Sequence, residues 1–238
     1  MVNREEKHRT ILQQIAHRVM LERGLLPDFS PEVLAEVDRL VPPVLPRDGQ
    51  TRDLRDLLWC SIDNDDSLDL DQLTVAEALE DGSVRVLVAV ADVDALVKPR
   101  TAIDDHAQTN TTSVYTAAEK FPMLPDRLST DLSSLNPDED RLATVVDMVI
   151  SRQGLVRHGD LYPAMVRNHA KLTYSSVGAW FQGNALMPER VAAVPGLAEN
   201  LMLQDRVAQR LKRSRHASGA LSLQTIEARP LFDGETIT

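Results

Sequence analysis

The stretch LLWCSIDNDDSLDLDQLTVAEALEDGSVRVLVAVA, residues 57–91, decides the fold class. Its last part, Ser83 to Ala91, is rich in Val, and β-branched side chains favour a pleated, half-buried backbone. Asp81-Gly82 just ahead of it supplies a turn, so residues 70–79 and 83–91 are expected to pair as a hairpin. Residues 57–62 read as a further extended segment. Between these segments lie five aspartates in nine positions: Asp63, Asp65, Asp66, Asp69 and Asp71. Carboxylates at that density repel one another unless water or a cation neutralises them.

Downstream, residues 141–152 and 156–173 predict a second hairpin around Gln153-Gly154, and 197–216 a long helix ending near Gly219. A loop-rich stretch with helical pieces, about residues 92–135, separates the two hairpins. Upstream, Ile11, Leu12, Ile15, Ala16, Val19 and Met20 form one stripe of a helix over 5–23, with Gly24 placed to end it. A second helix starts at Ser30 as N-cap with Pro31 in its first turn, and buries Val33, Leu34, Val37 and Leu40. The run Val41-Pro42-Pro43-Val44-Leu45-Pro46 cannot be helical and is read as an extended linker. The expected organisation is therefore a helical segment and linker over 1–46 and a second domain over 47–238. The class that fits is α+β, a mixed or antiparallel sheet with flanking helices.

The chain has 238 residues, of which 43% are hydrophobic and only 4% aromatic, so its core must be built from Leu, Val, Ile and Ala. Formal net charge is −10, which on its face disfavours a polyanionic partner. The charge is unevenly spread. Residues 1–50, 51–150 and 151–238 carry nets of −1, −13 and +4, and the acidity concentrates around 63–71 and 138–140. No apolar run approaches the roughly 18 residues of a membrane span, and the first residues lead into a polar helix. A single cysteine, Cys60, excludes an internal disulfide framework and a multi-cysteine zinc site, and a reducing cytoplasm is the expected location.

The acidic run has two readings: a solvated loop, or a site for a hard divalent cation. Apolar segments on both sides (Leu57, Leu58 and Trp59 before it, Leu73 and Val75 after it) tie it to the core. If 68–71 is extended, Asp69 and Asp71 share one face while Leu68 and Leu70 take the other. Paired carboxylates of that kind, with a third from the preceding loop, suit Mg²⁺. A calcium EF-hand fails by position: counted from Asp63, the sixth place is Leu68 where Gly is needed, and the twelfth is Thr74 where Glu is needed. The six histidines, His8, His17, His106, His158, His169 and His216, show no metal-ligand spacing.

The run also resembles the signature of the ribonuclease II/R family, the RNB catalytic domain, in which an Asp is followed by further Asp residues six, eight and nine places later. Asp63, Asp69 and Asp71 match, and Asp66 fits the intervening pattern. The following segments are similar to the family's in the same order: VLVAVADVDALV (86–97), TSVYTAAEKFPMLPDRLSTDLSSLNPDEDRLA (112–143), NHAKLTYSSV (168–177) and GALSLQTIEA (219–228). The likeness runs over about residues 51–230. It departs at Gln72, where the family usually has the fourth aspartate, and an amide brings an oxygen donor but no charge.

The resemblance implies a Mg²⁺-dependent exoribonuclease that degrades single-stranded RNA from its 3′ end to nucleoside 5′-monophosphates. Asp63, Asp69, Asp71 and Gln72 would form the catalytic metal site, holding one or two ions. Tyr115 and Tyr174 match family tyrosines beside the RNA, where stacking contributes about 1–3 kcal/mol per base; packing is the ordinary alternative for each. Arg206, Arg210, Lys212, Arg213 and Arg215 offer a surface for the RNA backbone or, alternatively, a solvated helix face. The family's catalytic module is longer than the part present here, so the chain is expected to be the front of such a module and weak or inactive alone. Two other readings remain open: a non-catalytic RNA-binding relative whose metal site Gln72 has spoiled, and a plain acidic cation-binding domain.

Overall fold

A computed structural model describes residues 8–47, 49–222, 232–233 and 236–237. In chain order the helices are α1 (His8–Glu22), α2 (Pro31–Arg39), α3 (Ala102–Asn110), α4 (Tyr174–Phe181), α5 (Glu189–Ala192) and α6 (Leu197–Ala217). The strands are β1 (Arg52–Asp53), β2 (Cys60–Asp63), β3 (Gln72–Ala78), β4 (Val84–Ala91), β5 (Val114–Tyr115), β6 (Lys120–Phe121), β7 (Asp140–Ile150), β8 (Val156–Arg167), β9 (Ala170–Thr173), β10 (Phe232–Asp233) and β11 (Thr236–Ile237). They divide between two compact units, one comprising residues 41–96 and 129–221, the other the remainder.

The larger unit is organised by a seven-stranded sheet in the order β1-β8-β7-β4-β3-β2-β9. Both expected hairpins form. β3 and β4 pair antiparallel from Gln72 opposite Val90 to Ala78 opposite Val84, and Gly82 turns between them at φ +75°. β7 pairs antiparallel with both β4 and β8. The outermost pairings, β1 with β8 and β2 with β9, are parallel, which makes the sheet mixed. Alternation along β3 sends Leu73 and Val75 to one face, where Trp59, Leu87, Ala89, Val145 and Val166 complete a dry core. Burying such side chains stabilises by about 1.5–3 kcal/mol each. Thr74 and Ala76 point to the other face, under α6. There Thr74 Oγ1 meets Gln204 Oε1 at 2.8 Å. Beyond the short β2 the edge of β3 is open, and the Asn200 amide takes both backbone groups of Ala76, at 3.2 and 2.8 Å.

Several expectations need correction. The extended segment predicted from residue 57 begins at Cys60, because Trp59 turns inward and donates its indole N–H to the Leu54 carbonyl at 2.7 Å. The single strand expected over 156–173 breaks at Asn168-His169. Asn168 is buried and donates to the Leu135 carbonyl at 2.9 Å and to Ser61 Oγ at 3.1 Å. This redirects the chain from β8 to the opposite side of the sheet, where β9 lies beside β2. Residues 174–181 form the helix α4, capped by Thr173, whose hydroxyl accepts the Ser176 N–H at 3.2 Å.

In the smaller unit, the Ser30 cap and Pro31 start α2 as expected, and Gly24 follows α1 at φ +75°. The α1 stripe is only partly buried: Met20 is 4% exposed, while Ile11, Ile15 and Val19 are exposed by 41–48%. Leu34 of α2 is also exposed. Glu36 of α2 caps α3 by accepting the Ala102 and Ile103 N–H groups, both at 3.1 Å. The side chain of Asn110 accepts the Leu26 N–H at 2.8 Å and donates to the Leu26 carbonyl at 2.9 Å. Residues 5–7 of the first expected helix and most of the segment 219–228 lie outside the described residues.

Candidate metal-binding loop

Asp63 ends β2, Gln72 begins β3, and residues 64–71 form the loop that joins them. The expectation that Asp69 and Asp71 lie on a regular strand is not met, since residues 67–71 belong to no strand. Nor do Leu68 and Leu70 share an environment: Leu68 is 65% exposed, whereas Leu70 is 1% exposed in the core. Asp63 Oδ1 accepts the Asn64 N–H at 2.7 Å and the Ser67 hydroxyl at 2.9 Å. Ser175, in the first turn of α4, donates to Asp65 Oδ1 at 2.9 Å. The Lys171 ammonium donates to the Ser67 carbonyl. The loop is thus held by β9 and α4 on one side.

On its other side stands the turn Ser133-Ser134-Leu135-Asn136. The Ser134 hydroxyl accepts the Leu70 N–H at 2.9 Å and lies 3.1 Å from the Leu68 carbonyl. Leu135 donates its N–H to the Leu70 carbonyl at 2.9 Å, and Ala91 donates to the Asp71 carbonyl at 2.9 Å. Arg141, almost wholly buried, donates to the carbonyls of Ser134 and Asp131, each at 3.0 Å. In the sequence this turn and Arg141 lie within the family-like segment 112–143, with no particular task evident from their types alone. Ser, Asn and a buried Arg at a turn signal backbone capture, yet which backbone they capture is a tertiary fact.

All donors in the loop are oxygens, the chemistry that suits a hard cation such as Mg²⁺. Among the described residues, no three His, Cys, Asp or Glu side chains converge on one point that would hold a metal ion. That arrangement still fits magnesium, which keeps several waters and is commonly bound by one or two carboxylates completed by substrate phosphates. Gln72 would add one neutral oxygen.

Tyr174, at the start of α4, is 57% exposed and follows Thr173, which pairs with Asp63 across β9 and β2. Tyr115 belongs to the smaller unit, is 68% exposed, and has the Lys120 ammonium 5.2 Å from its ring centroid. On α6, Arg206, Lys212, Arg213 and Arg215 are exposed and Arg210 is half-buried. None of these five forms an ion pair among the described residues. The carbonyl of Arg210 lies against Gly154, where an added Cβ would stand 2.5 Å away. Gly154 turns β7 into β8 at the end of the sheet remote from Gln72, about 20 Å along the strands at roughly 3.3 Å per residue.

A mixed sheet that carries an oxygen-donor loop at one end and a basic helix across one face defines an α+β module. The family model described as the RNB domain matches residues 51–238. The chain belongs to the RNB family. It is 38% identical over 183 residues to ribonuclease R of Vibrio parahaemolyticus, an alignment covering 77% of this chain and 22% of the relative. The fold superposes with TM-score 0.83 on ribonuclease R of Mycoplasma genitalium, solved in complex with double-stranded RNA, at 24% identity over 94% of this chain and 39% of that one. Yeast Ssd1, a pseudonuclease, shares the fold at TM-score 0.53 and 12% identity, over 63% of this chain and 19% of that one. The chain therefore spans less than half the length of each of these proteins. No helix among the described residues is long and apolar enough to cross a membrane.

Proposed function

We propose that this chain carries the metal-binding part of an exoribonuclease that hydrolyses single-stranded RNA from the 3′ end to nucleoside 5′-monophosphates with Mg²⁺. The observation that carries the reading is the spacing of Asp63, Asp69, Asp71 and Gln72 from the end of β2, through the joining loop, to the start of β3 in an RNB fold. Asp69 and Asp71 would supply the charged oxygens, with Asp63 and Gln72 beside them. Magnesium, when bound, activates a water and neutralises charge on the phosphate and leaving oxygen. Tyr174, exposed at the start of α4, would stack on a base near the terminal nucleotide. Tyr115 is proposed for the same task from its match to the family motif.

The cations of α6, which form no ion pair among the described residues, support contact with the phosphate backbone, because uncompensated Arg and Lys release counterions when they meet phosphates. Arg210, whose carbonyl lies against Gly154 some 20 Å along the strands from Gln72, would bring its part of the helix beside nucleotides distant from the scissile bond. The RNA partner and the basic helix thus belong to one reading. Asp71→Asn in the full-length protein is expected to abolish the shortening of 5′-labelled single-stranded RNA. Shortening at the wild-type rate would end the assignment.

A second reading is a non-catalytic RNA-binding relative. It draws on Gln72, which removes one negative charge from the donor set, and on the fold shared with a pseudonuclease. Gln72→Asp separates the two. An enzyme that is active beforehand should gain little, whereas a degenerate site should be silent before the change and active after it.

A further inference from the structure

We infer that Ser134 is a positioning residue for the carboxylate loop, and that the segment Ser133–Arg141 exists to hold Asp69 in place. This rests on the proposed metal site and deepens it. Asp69 stands between two residues that one buried hydroxyl touches: Ser134 Oγ accepts from Leu70 N at 2.9 Å and lies 3.1 Å from the Leu68 carbonyl. The hydroxyl has one proton, shared between that carbonyl and Asn136 Oδ1, also at 3.1 Å. Asn136 is in turn oriented by donating its amide to the Thr130 carbonyl at 3.1 Å. Leu135 N adds a third tie, to the Leu70 carbonyl at 2.9 Å. Four residues of turn therefore replace a neighbouring strand for a stretch of loop that has none.

The clamp is itself rigid. Ser134 and Leu135 are each 1% exposed. The Arg141 guanidinium fixes the Ser134 carbonyl from below and also pairs with Glu139. Asn168 joins the Leu135 carbonyl to Ser61 Oγ on β2, two residues before Asp63. One buried polar chain thus runs from β2 through the turn to Asp69, referencing Asp69 to the strand that carries Asp63. Carboxylates that must meet one ion need such support, because partners behind metal ligands typically change metal affinity by about 10–100-fold when removed.

The test compares Ser134→Ala and Ser134→Thr with wild type in the full-length protein, with Asp71→Asn as reference. Calorimetric titration with Mg²⁺ alone should show half-saturation raised about tenfold or more in Ser134→Ala and largely restored in Ser134→Thr. RNA affinity without metal should stay within about twofold, because the clamp touches the loop and not the RNA-facing groups. Amide hydrogen exchange supplies an independent reading: in wild type the Leu70 and Leu135 N–H groups should be protected, and Ser134→Ala should expose Leu70 selectively. Unchanged Mg²⁺ half-saturation in a folded Ser134→Ala protein, or a Leu70 amide that exchanges freely in wild type, overturns the inference. If Asp71→Asn binds Mg²⁺ as wild type does, the metal reading itself has failed; if Asp71→Asn loses Mg²⁺ and Ser134→Ala does not, only the clamp has.

Discussion

The acidic groups at 63–71 and those at 138–140 differ in what stands opposite them. Asp140 receives the guanidinium of Arg55 at 2.7 Å and that of Arg167 at 2.6 Å, and Glu139 pairs with buried Arg141. Asp63 and Asp65, by contrast, are held by hydroxyls and one backbone amide, with no cationic side chain among their partners in the described residues. Asp140 and Glu139 are neutralised within the fold, and their charge serves stability. Asp63 and Asp65 keep carboxylate charge that these hydroxyls and this amide do not cancel, a condition for attracting a cation from solution. Carboxylates that each count equally in a net charge of −10 are thus given different surroundings by their neighbours.

Paired substitutions test this contrast most severely. Asp71→Asn should lower RNA shortening by at least about a hundredfold while leaving the unfolding free energy nearly unchanged, as for a substitution at an exposed side chain. Asp140→Asn should do the reverse, costing about 2 kcal/mol in denaturant unfolding through lost charge-assisted hydrogen bonds, with RNA shortening within about twofold of wild type. Equal effects of the two changes on activity would break the comparison.

A smaller effect concerns acid. Burial works against the charged form of Asp140, but hydrogen bonds from Arg55 and Arg167 outweigh it and hold its carboxyl below the ordinary 3.8. Asp147 is also lowered, chiefly by Arg85 and also by the Tyr162 hydroxyl. Groups whose folded pKa is depressed add stability that is present above their unfolded value and lost as pH falls through the folded one. The melting temperature should therefore hold from neutral pH down to about 4 and then fall, and Asp140→Asn should flatten that fall. A profile that is the same in the variant would show that the pairing contributes nothing to stability.

Much of the fold was legible in local pattern. The Val-rich run 84–91, the Asp81-Gly82 turn and the Ser30-Pro31 helix start each depend on residues a few places apart, and each forms where expected. The break at Asn168 was not legible, because it is set by Ser61 and Leu135, remote in sequence. The same holds for the loop. Its residue types and spacing announced oxygen-donor chemistry, but 68–71 is not the regular strand that alternation implied. Ser134 and Leu135 capture the backbone on both sides of Asp69, and Leu70 goes to the core while Leu68 stays in solvent.

By itself, the sequence determined the α+β class, the two hairpins and which carboxylates stand at family spacing, since these follow from short-range periodicity, turn chemistry and residue identity. Only the tertiary structure decided that Asp140 is neutralised within the fold, because the arginines that pair with it come from positions 55 and 167. It also decided how Asp69 is held, by a serine brought alongside from residue 134. Hydrogen bonds and ion pairs act over a few ångströms, so their partners are chosen by the folded path of the chain and not by its order.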